Sequence, residues 1–432
     1  MTEQNYDASP GGGSRGRVLV ASLVGTSVEF YDFYIYATAA SIVFPQLFFP
    51  GAAPATQLLA SYASLSVAFF ARPLGAAVFG HFGDRLGRKS TLVASLLIMG
   101  LSTLAIAFLP TYAAAGWIAP ALLCLLRFGQ GFGLGGEWGG AALLAVEYAP
   151  EHARGRYGMV PQLGAPVGFI FSNGLFLLMG RWLAPAEFAA WGWRIPFALS
   201  IVLVGLGLWI RLSLAETPAF ARALEEAPPP RVPLGEVLRD YPAETIAGTF
   251  AVVCTFALFY LATAFALGYG TTALHLPKQG FLGIQLVAIL FMAASIALSG
   301  ALSDRSSPRH VLMAGCVMAV AAGLMMKPLL GAGTLTGAFL WLAFALAAMG
   351  LVYGPLGAWL PGLFPARVRY TGASMAFNVG GILGGAAAPA LAQALSTGHL
   401  LGGGLAPVGA YLALCGLVSF VALAALAKPH RY

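Results

Sequence analysis

Charge is what this sequence has least of. Only 9% of its 432 residues are Asp, Glu, Lys or Arg, against roughly 25% in a soluble globular protein, too few to cover a water-facing surface. Cysteine is nearly as scarce. Cys124, Cys254, Cys316 and Cys415 all lie inside apolar stretches and share no metal-ligand spacing. That excludes a disulfide-built secreted fold and offers no metal site. There is no GxxxxGK[ST] run to cradle a nucleotide, and no grouping of nucleophile, base and acid. Neither an enzyme nor a cofactor is expected. A cleavable signal is missing too: a polar tail with Gly11-Gly12-Gly13 leads into an apolar run of about 25 residues, too long for a signal core.

What is present is hydrophobicity. Apolar residues make up 59% of the chain, in recurring runs of about the 20 residues that cross hydrocarbon. The chain reads as an all-α polytopic membrane protein with the lipid bilayer as its solvent. A net charge of +7 could suggest nucleic acid. The basic residues sit in short loops and not along one face, so no nucleic-acid partner is expected.

Apolar runs fall near 18–44, 58–80, 90–110, 116–146, 157–180 and 193–213, then 243–269, 279–301, 310–327, 335–358, 371–394 and 405–427. That predicts twelve transmembrane helices in two sets of six. The expected division is a tail (1–17), a six-helix bundle (18–213), a linker (214–242), a second six-helix bundle (243–427) and a short tail (428–432). The linker carries Pro228-Pro229-Pro230 and the acids Glu216, Glu225, Glu226, Glu236 and Asp240, a composition suited to water. With the amino terminus inside, seventeen Lys and Arg fall on the inner side and four (Arg181, Arg194, Lys278, Lys327) on the outer. Both termini are therefore expected in the cytoplasm.

The halves echo each other. GHFGDRLGRK (80–89) after the second run answers SGALSDRSSPRH (299–310) after the eighth, and YAPEHARGRYG (148–158) answers LFPARVRYTG (363–372). A repeat near half the chain length predicts two bundles related by pseudo-symmetry with a site between them, which is a transporter's architecture.

These segments carry a family resemblance. GHFGDRLGRK resembles the loop signature of the major facilitator superfamily, and Arg127-Phe128-Gly129-Gln130-Gly131 is similar to its second motif. Glu147 to Gly155 resembles its E-x-x-P-x-x-x-R-G segment. VEFYDFYIY (28–36), RFGQGFGLGGEWGGA (127–141), WGWRIPF (191–197) and LFPARVRYTGAS (363–374) are similar to its metabolite–proton symporter branch, which includes carriers of shikimate, 2-oxoglutarate, citrate and betaine-type osmolytes. The resemblance implies the major facilitator fold and a cell inner membrane location. It also implies an inner gate built from Asp84, Arg88, Glu147 and Arg154. Asp84 would meet the start of the eleventh helix near Thr371, where the helix dipole favours an anion. Arg88 and Glu147 would form the pair that breaks on inward opening.

Few ionisable residues lie within the runs, and each is a functional candidate because a lone charge in hydrocarbon is costly. They are Glu29, Asp32, Arg72, Arg127 and Glu137, all in the first half. Asp32 lies about 18 Å from the outer end of its helix, Arg127 about 16 Å from the outer end of its own, and Arg72 about 21 Å along its own. The three thus share a level near the midplane, where such carriers bind substrate. Glu29 and Asp32, at i and i+3, would repel if both were charged, so one is expected to take up a proton. Asp32 is the leading proton carrier, with Glu29 its partner and Glu137 a second candidate. Arg127 is the counter-charge for a carboxylate or for the substrate. A static alternative pairs Asp32 with Arg127 and Glu29 with Arg72. Arg72, Gln130, Tyr36, Gln162, Tyr353 and Asn378 are candidate substrate contacts, with Tyr34, Asn173, Tyr260 and Trp359 as further lining.

The function expected is a proton-coupled symporter, monomeric, importing a small organic acid by alternating access. A betaine or proline symporter and a proton antiporter exporting a metabolite or drug remain as alternatives. By the repeat, Arg88 corresponds to Pro308 and Glu147 to Gly362, so the gate pair has no second-half copy. Arg88→Ala is therefore expected to impair transport in whole-cell uptake far more than Arg309→Ala. Equal defects would contradict an asymmetric gate.

Overall fold

The computed structural model describes residues 12–51, 53–86, 88–147, 149–213, 233–365, 368–398 and 402–426. Twelve long helical segments run through them, with no strand among the described residues. The first six are Gly12–Ile42, Pro54–Leu86, Arg88–Ile106, Ile118–Glu147, Glu151–Trp182 and Arg194–Ser213. The second six are Pro242–Thr272, Lys278–Arg305, Pro308–Ala332, Leu335–Trp359, Arg369–Ser396 and Leu405–Ala425. Among the described residues nine helices are long and apolar enough to cross a membrane, or ten when the bent pair Pro185–Gly192 and Arg194–Trp209 counts as one. The third segment contributes a shorter apolar helix, Val93–Ile106. The first interrupts its apolar sequence with Glu29, Asp32 and three tyrosines.

The segments expected as single rods are not all continuous. The fourth breaks into Ile118–Leu134 and Glu137–Glu147 at Gly135-Gly136. The seventh and eleventh each contain one widened, π-helical turn, at Leu261–Phe265 and Ile382–Ala386. Such turns leave backbone carbonyls available to neighbours, a feature frequent at functional sites. The stretch expected to be plain linker contributes an eight-residue helix, Pro233–Asp240, packed on the seventh and eleventh segments.

Glycine sets the close crossings. A Cβ on Gly131 would meet the Ala68 backbone, one on Gly75 the Phe132 carbonyl, and one on Gly135 the Arg72 carbonyl. The second and fourth helices thus touch backbone to backbone, which small residues permit in membranes. Thr26 donates to the Pro161 carbonyl at 2.9 Å and fixes the first segment against the fifth. The two halves meet where the second segment packs on the eleventh and the fifth on the eighth.

Replacing Gly131 by Ala should overpack the crossing and lower stability by about 1–3 kcal/mol. Gly174→Ala, where a Cβ meets nothing within 4 Å, should leave it unchanged or slightly raised. Thermal unfolding of the two variants side by side checks this; equal melting temperatures would contradict the backbone contact.

Candidate functional site

The site is built outward from two buried arginines. Arg127 is 0% exposed and Arg72 4%, so each needs partners that replace water. Arg127 is held by its own bundle. Its Nη1 donates to Gln130 Oε1 at 3.0 Å and its Nε to the Leu65 carbonyl at 3.4 Å. Its guanidinium lies 4.1 Å from the Phe33 ring centroid and 4.2 Å from that of Tyr36, a sandwich that supplies cation–π attraction on both faces. Tyr36 is itself fixed by a 2.8 Å hydrogen bond to Ser64. Nη2 of Arg127 has no hydrogen-bond partner.

Arg72 reaches across to the other half. Its Nε donates to Asn378 Oδ1 at 3.0 Å, and Asn378 Nδ2 donates to the Gly135 carbonyl at 2.9 Å. The broken fourth helix thus supplies the acceptor that orients Asn378. Around the guanidinium stand Phe33 and Phe69 from the first half and Phe256 and Phe377 from the second, each 5.6–5.7 Å away. Both halves therefore contribute to holding this one cation.

Asp32 is fully buried, and neither carboxylate oxygen has a hydrogen-bond partner. Thr103, beside it, donates its proton to the Met99 carbonyl at 3.0 Å and accepts from Gln130 Nε2 at 2.7 Å. Gln130 also reaches the Asp32 backbone carbonyl at 3.5 Å. Glu137, at the start of the second half of the broken helix, accepts from Ser95 at 2.6 Å and lies within electrostatic range of Asp32.

One expectation, the static pair of Asp32 with Arg127, needs correction. Asp32 and Arg127 do not form an ion pair: Gln130, three residues along the same helix, and the Leu65 carbonyl take the guanidinium instead. The charge recorded beside Asp32 is Glu137, and the one beside Arg72 is Glu29. Positions i and i+3 point about 60° apart around a helix. That turns Asp32 toward Thr103 and Glu137 inside the bundle and Glu29 toward Arg72 and Tyr353 at the seam. Asp32 thus has Glu137 as its charged neighbour, Arg72 has Glu29, and Arg127 stands among Tyr36, Tyr260 and Arg72.

Gln162 accepts from Trp138 Nε1 at 3.3 Å, and its Nε2 has no partner; the Tyr353 hydroxyl also has none. Trp138 stacks on Phe377 with centroids 3.8 Å apart, Tyr34 on Phe259 at 4.6 Å, and Phe30 meets Tyr353 edge-on at 6.3 Å. The seam is therefore closed by aromatic pairs through its middle. It is closed at both ends as well. Toward the end where the third, fifth and eleventh helices begin, Asp304 accepts from the Gly155 amide at 2.7 Å and from Arg156 Nε at 2.8 Å, and Tyr370 donates to the Gly136 carbonyl. At the opposite end Tyr62 donates to the Ala264 carbonyl at 2.7 Å and Ser66 to that of Ala386 at 2.6 Å. Among the described residues the seam is therefore bridged at both ends.

Asp84 and Arg88, on which the expected gate depends, have side chains outside the described residues. Glu147 is exposed at the end of its helix, and Arg154 lies 3.7 Å from Glu151. Arg309 bonds the Ala424 carbonyl within its own half at 2.8 Å.

Sequence reasoning missed three contributors. The first is the ring cluster about Arg72, hidden because phenylalanine is unremarkable in apolar runs. The second is Asp304 with the start of the fifth helix, which the repeat that pairs Asp84 with Asp304 could have exposed. The third is Gln285, an amide alone in an apolar run: it accepts from Asn173 Nδ2 across the seam at 3.4 Å and donates to the Thr263 carbonyl at 2.9 Å. Thr38, bonded to Asn173, completes a neutral polar patch beside Tyr34 and Phe259.

Comparison with known proteins gives the family and the fold. Residues 17–227 match the family model described as sugar (and other) transporter. The chain is 48% identical to the inner membrane metabolite transport protein YhjE of Escherichia coli K12 over 95% of its own length and 93% of that protein's. It is 37% identical to the shikimate transporter of the same organism, over 88% of each chain. In three dimensions it resembles the xylose transporter XylE from E. coli, in a partially occluded inward-open conformation, with a TM-score of 0.74 at 14% identity, covering 96% of this chain and 98% of that one. The last likeness concerns the fold alone.

Proposed function

The chain belongs to the major facilitator superfamily of transporters, and on that footing we propose a proton-coupled symporter that imports a small organic acid. That it is a multi-pass inner membrane transporter of small molecules and not an enzyme follows from its relatives. The finer reading, with both termini in the cytoplasm, rests on the buried charges and the loop arginines.

The observation that carries it is the isolation of Asp32, an acid wholly buried at mid-helix with both oxygens unpartnered. A group so placed is suited to take up and release a proton as access alternates, since only its neutral form avoids a large desolvation cost. Thr103 and Glu137 stand near it, and Gln130, which reaches its backbone carbonyl, also holds the guanidinium of Arg127. Proton site and counter-charge thus stand apart until a rearrangement joins them.

Substrate recognition is assigned to Arg72 and Glu29. Arg72 donates to Asn378. A substrate carboxylate can take that place with a charge-assisted bond, the stronger of the two. Its negative charge then arrives beside Glu29, the other charge near Arg72, and disfavours a second anion there. This links substrate binding to protonation within the first bundle. Two buried arginines favour an anionic or zwitterionic substrate over a simple cation. Tyr353, Gln162 and the Thr38–Asn173–Gln285 patch supply uncharged contacts for its hydroxyl groups.

Proteoliposomes with an inward proton gradient and a panel of organic acids, shikimate first, test this. One acid should accumulate, a protonophore should abolish the accumulation, and Arg72→Ala should weaken its apparent affinity about tenfold or more, the loss of one charge-assisted bond. Uptake insensitive to the protonophore would overturn the symporter reading.

A further inference from the structure

A second cavity lies away from the central charges, at the end of the molecule where the first helix finishes. It has a volume of about 350 Å³ and sits between the end of the first helix, residues 176–189 and the start of the eighth helix. That is within the ~300–1,000 Å³ of small-molecule sites. Its wall is mostly apolar, with Val43, Leu47, Phe176, Phe188 and Leu282. Three polar side chains enter it: Gln46, Lys278 and Gln279.

The polar groups are not satisfied by the protein. Lys278 Nζ makes one long contact, 3.5 Å to the Ile42 carbonyl, and lies 6.0 Å from the Phe188 ring centroid. No carboxylate among the described residues pairs with it. The nearby acid, Glu187, is engaged with the Ala184 amide at 2.9 Å. Gln279 Oε1 is buried with no hydrogen-bond partner, while its Nε2 lies against Gly180, where a Cβ would strike it. A ligand that completes the site must bring an anion for Lys278 and an N–H or O–H donor for Gln279.

The position specifies the rest. Trp182 and Trp191, next in sequence to the lining residues Leu183 and Ala189, are 70% and 48% exposed, as tryptophans are at the membrane–water interface. From the cavity, the fifth and eighth helices, which pack together across the halves, lead along to exposed apolar side chains, Phe171 about 14 Å and Phe291 about 18 Å further along. A headgroup in the cavity could therefore keep its acyl chains in the bilayer.

We propose that this cavity binds the headgroup of a phospholipid that carries both a phosphate and a hydrogen-bond donor, phosphatidylglycerol or phosphatidylethanolamine. The phosphate pairs with Lys278, and the glycerol hydroxyl or ethanolamine ammonium donates to Gln279 Oε1. Because Lys278 belongs to the second half and Ile42, Phe176 and Phe188 to the first, the lipid braces the closed seam at this end. Phosphatidylcholine offers the phosphate without the donor and leaves Gln279 unsatisfied.

The test uses the full chain in nanodiscs of phosphatidylcholine alone or with about one third phosphatidylglycerol or phosphatidylethanolamine, since a ligand that binds the folded protein raises its melting temperature. Wild type should melt several degrees higher with either donor lipid than with phosphatidylcholine. Lys278→Gln and Gln279→Leu should each lose that shift, and Lys278→Arg should keep it. Should Lys278→Gln fail to fold, Gln279→Leu and native mass spectrometry of wild type decide, with phosphatidylglycerol retained over phosphatidylcholine as the supporting result. Equal shifts in wild type and both variants, or equal retention of the two lipids, would overturn the proposal. So would an equal shift from soluble glycerol 3-phosphate in phosphatidylcholine discs, which would mark a site for free anions.

Discussion

The arrangement of this molecule depends on how it holds two guanidinium groups inside a membrane. An unpaired charge at that depth is costly, and a static ion pair is the obvious remedy. It is not the one used for Arg127. That residue lies between the faces of Phe33 and Tyr36 and is tied to Gln130, while Arg72 stands among four phenyl rings and Asn378. Aromatic faces and amides stabilise a cation without cancelling it, so the positive charge stays available to a carboxylate that arrives later. The glycine crossings serve the same end. The backbone contact between the second and fourth helices brings Arg72 and Arg127 both against Phe33.

The second half contributes little charge but much of the enclosure. Phe256, Phe377 and Asn378 complete the surroundings of Arg72, and Tyr353 and Gln285 present polar groups at the seam. The break at Gly135-Gly136 joins these roles. Its carbonyls accept from Asn378 and Tyr370, so a local irregularity of one half becomes an attachment point for the other. Asp304 closes the seam nearby by capping the start of the fifth helix, where backbone amides and helix dipole both favour an anion. The seam combines short polar contacts and ring pairs with buried apolar residues of both halves.

The fold was legible in the sequence because hydrocarbon enforces it: apolar runs of spanning length, a repeat near the half-length and sided arginines leave few alternatives. The five buried charges were legible for the same reason, standing out against apolar neighbours. What each one faces was not. Glu29 and Asp32 look like one pair on paper, yet about 60° of helix rotation sends them to different neighbours. Arg127 looked like the partner of Asp32 until Gln130, already suspected as a substrate contact, proved to hold it. Phe69 and Phe256 were invisible because their type is ordinary in a membrane helix, and their meaning lies wholly in what they surround.

If coupling resides in Asp32, its loss should separate two activities that most damage would abolish together. The decisive measurement compares, in the same proteoliposomes of Asp32→Asn, proton-driven accumulation of substrate with its exchange across the membrane in the absence of a gradient. Accumulation should vanish while exchange persists at a rate near wild type. Accumulation that survives, or exchange lost in equal measure, would contradict the assignment of the proton to Asp32.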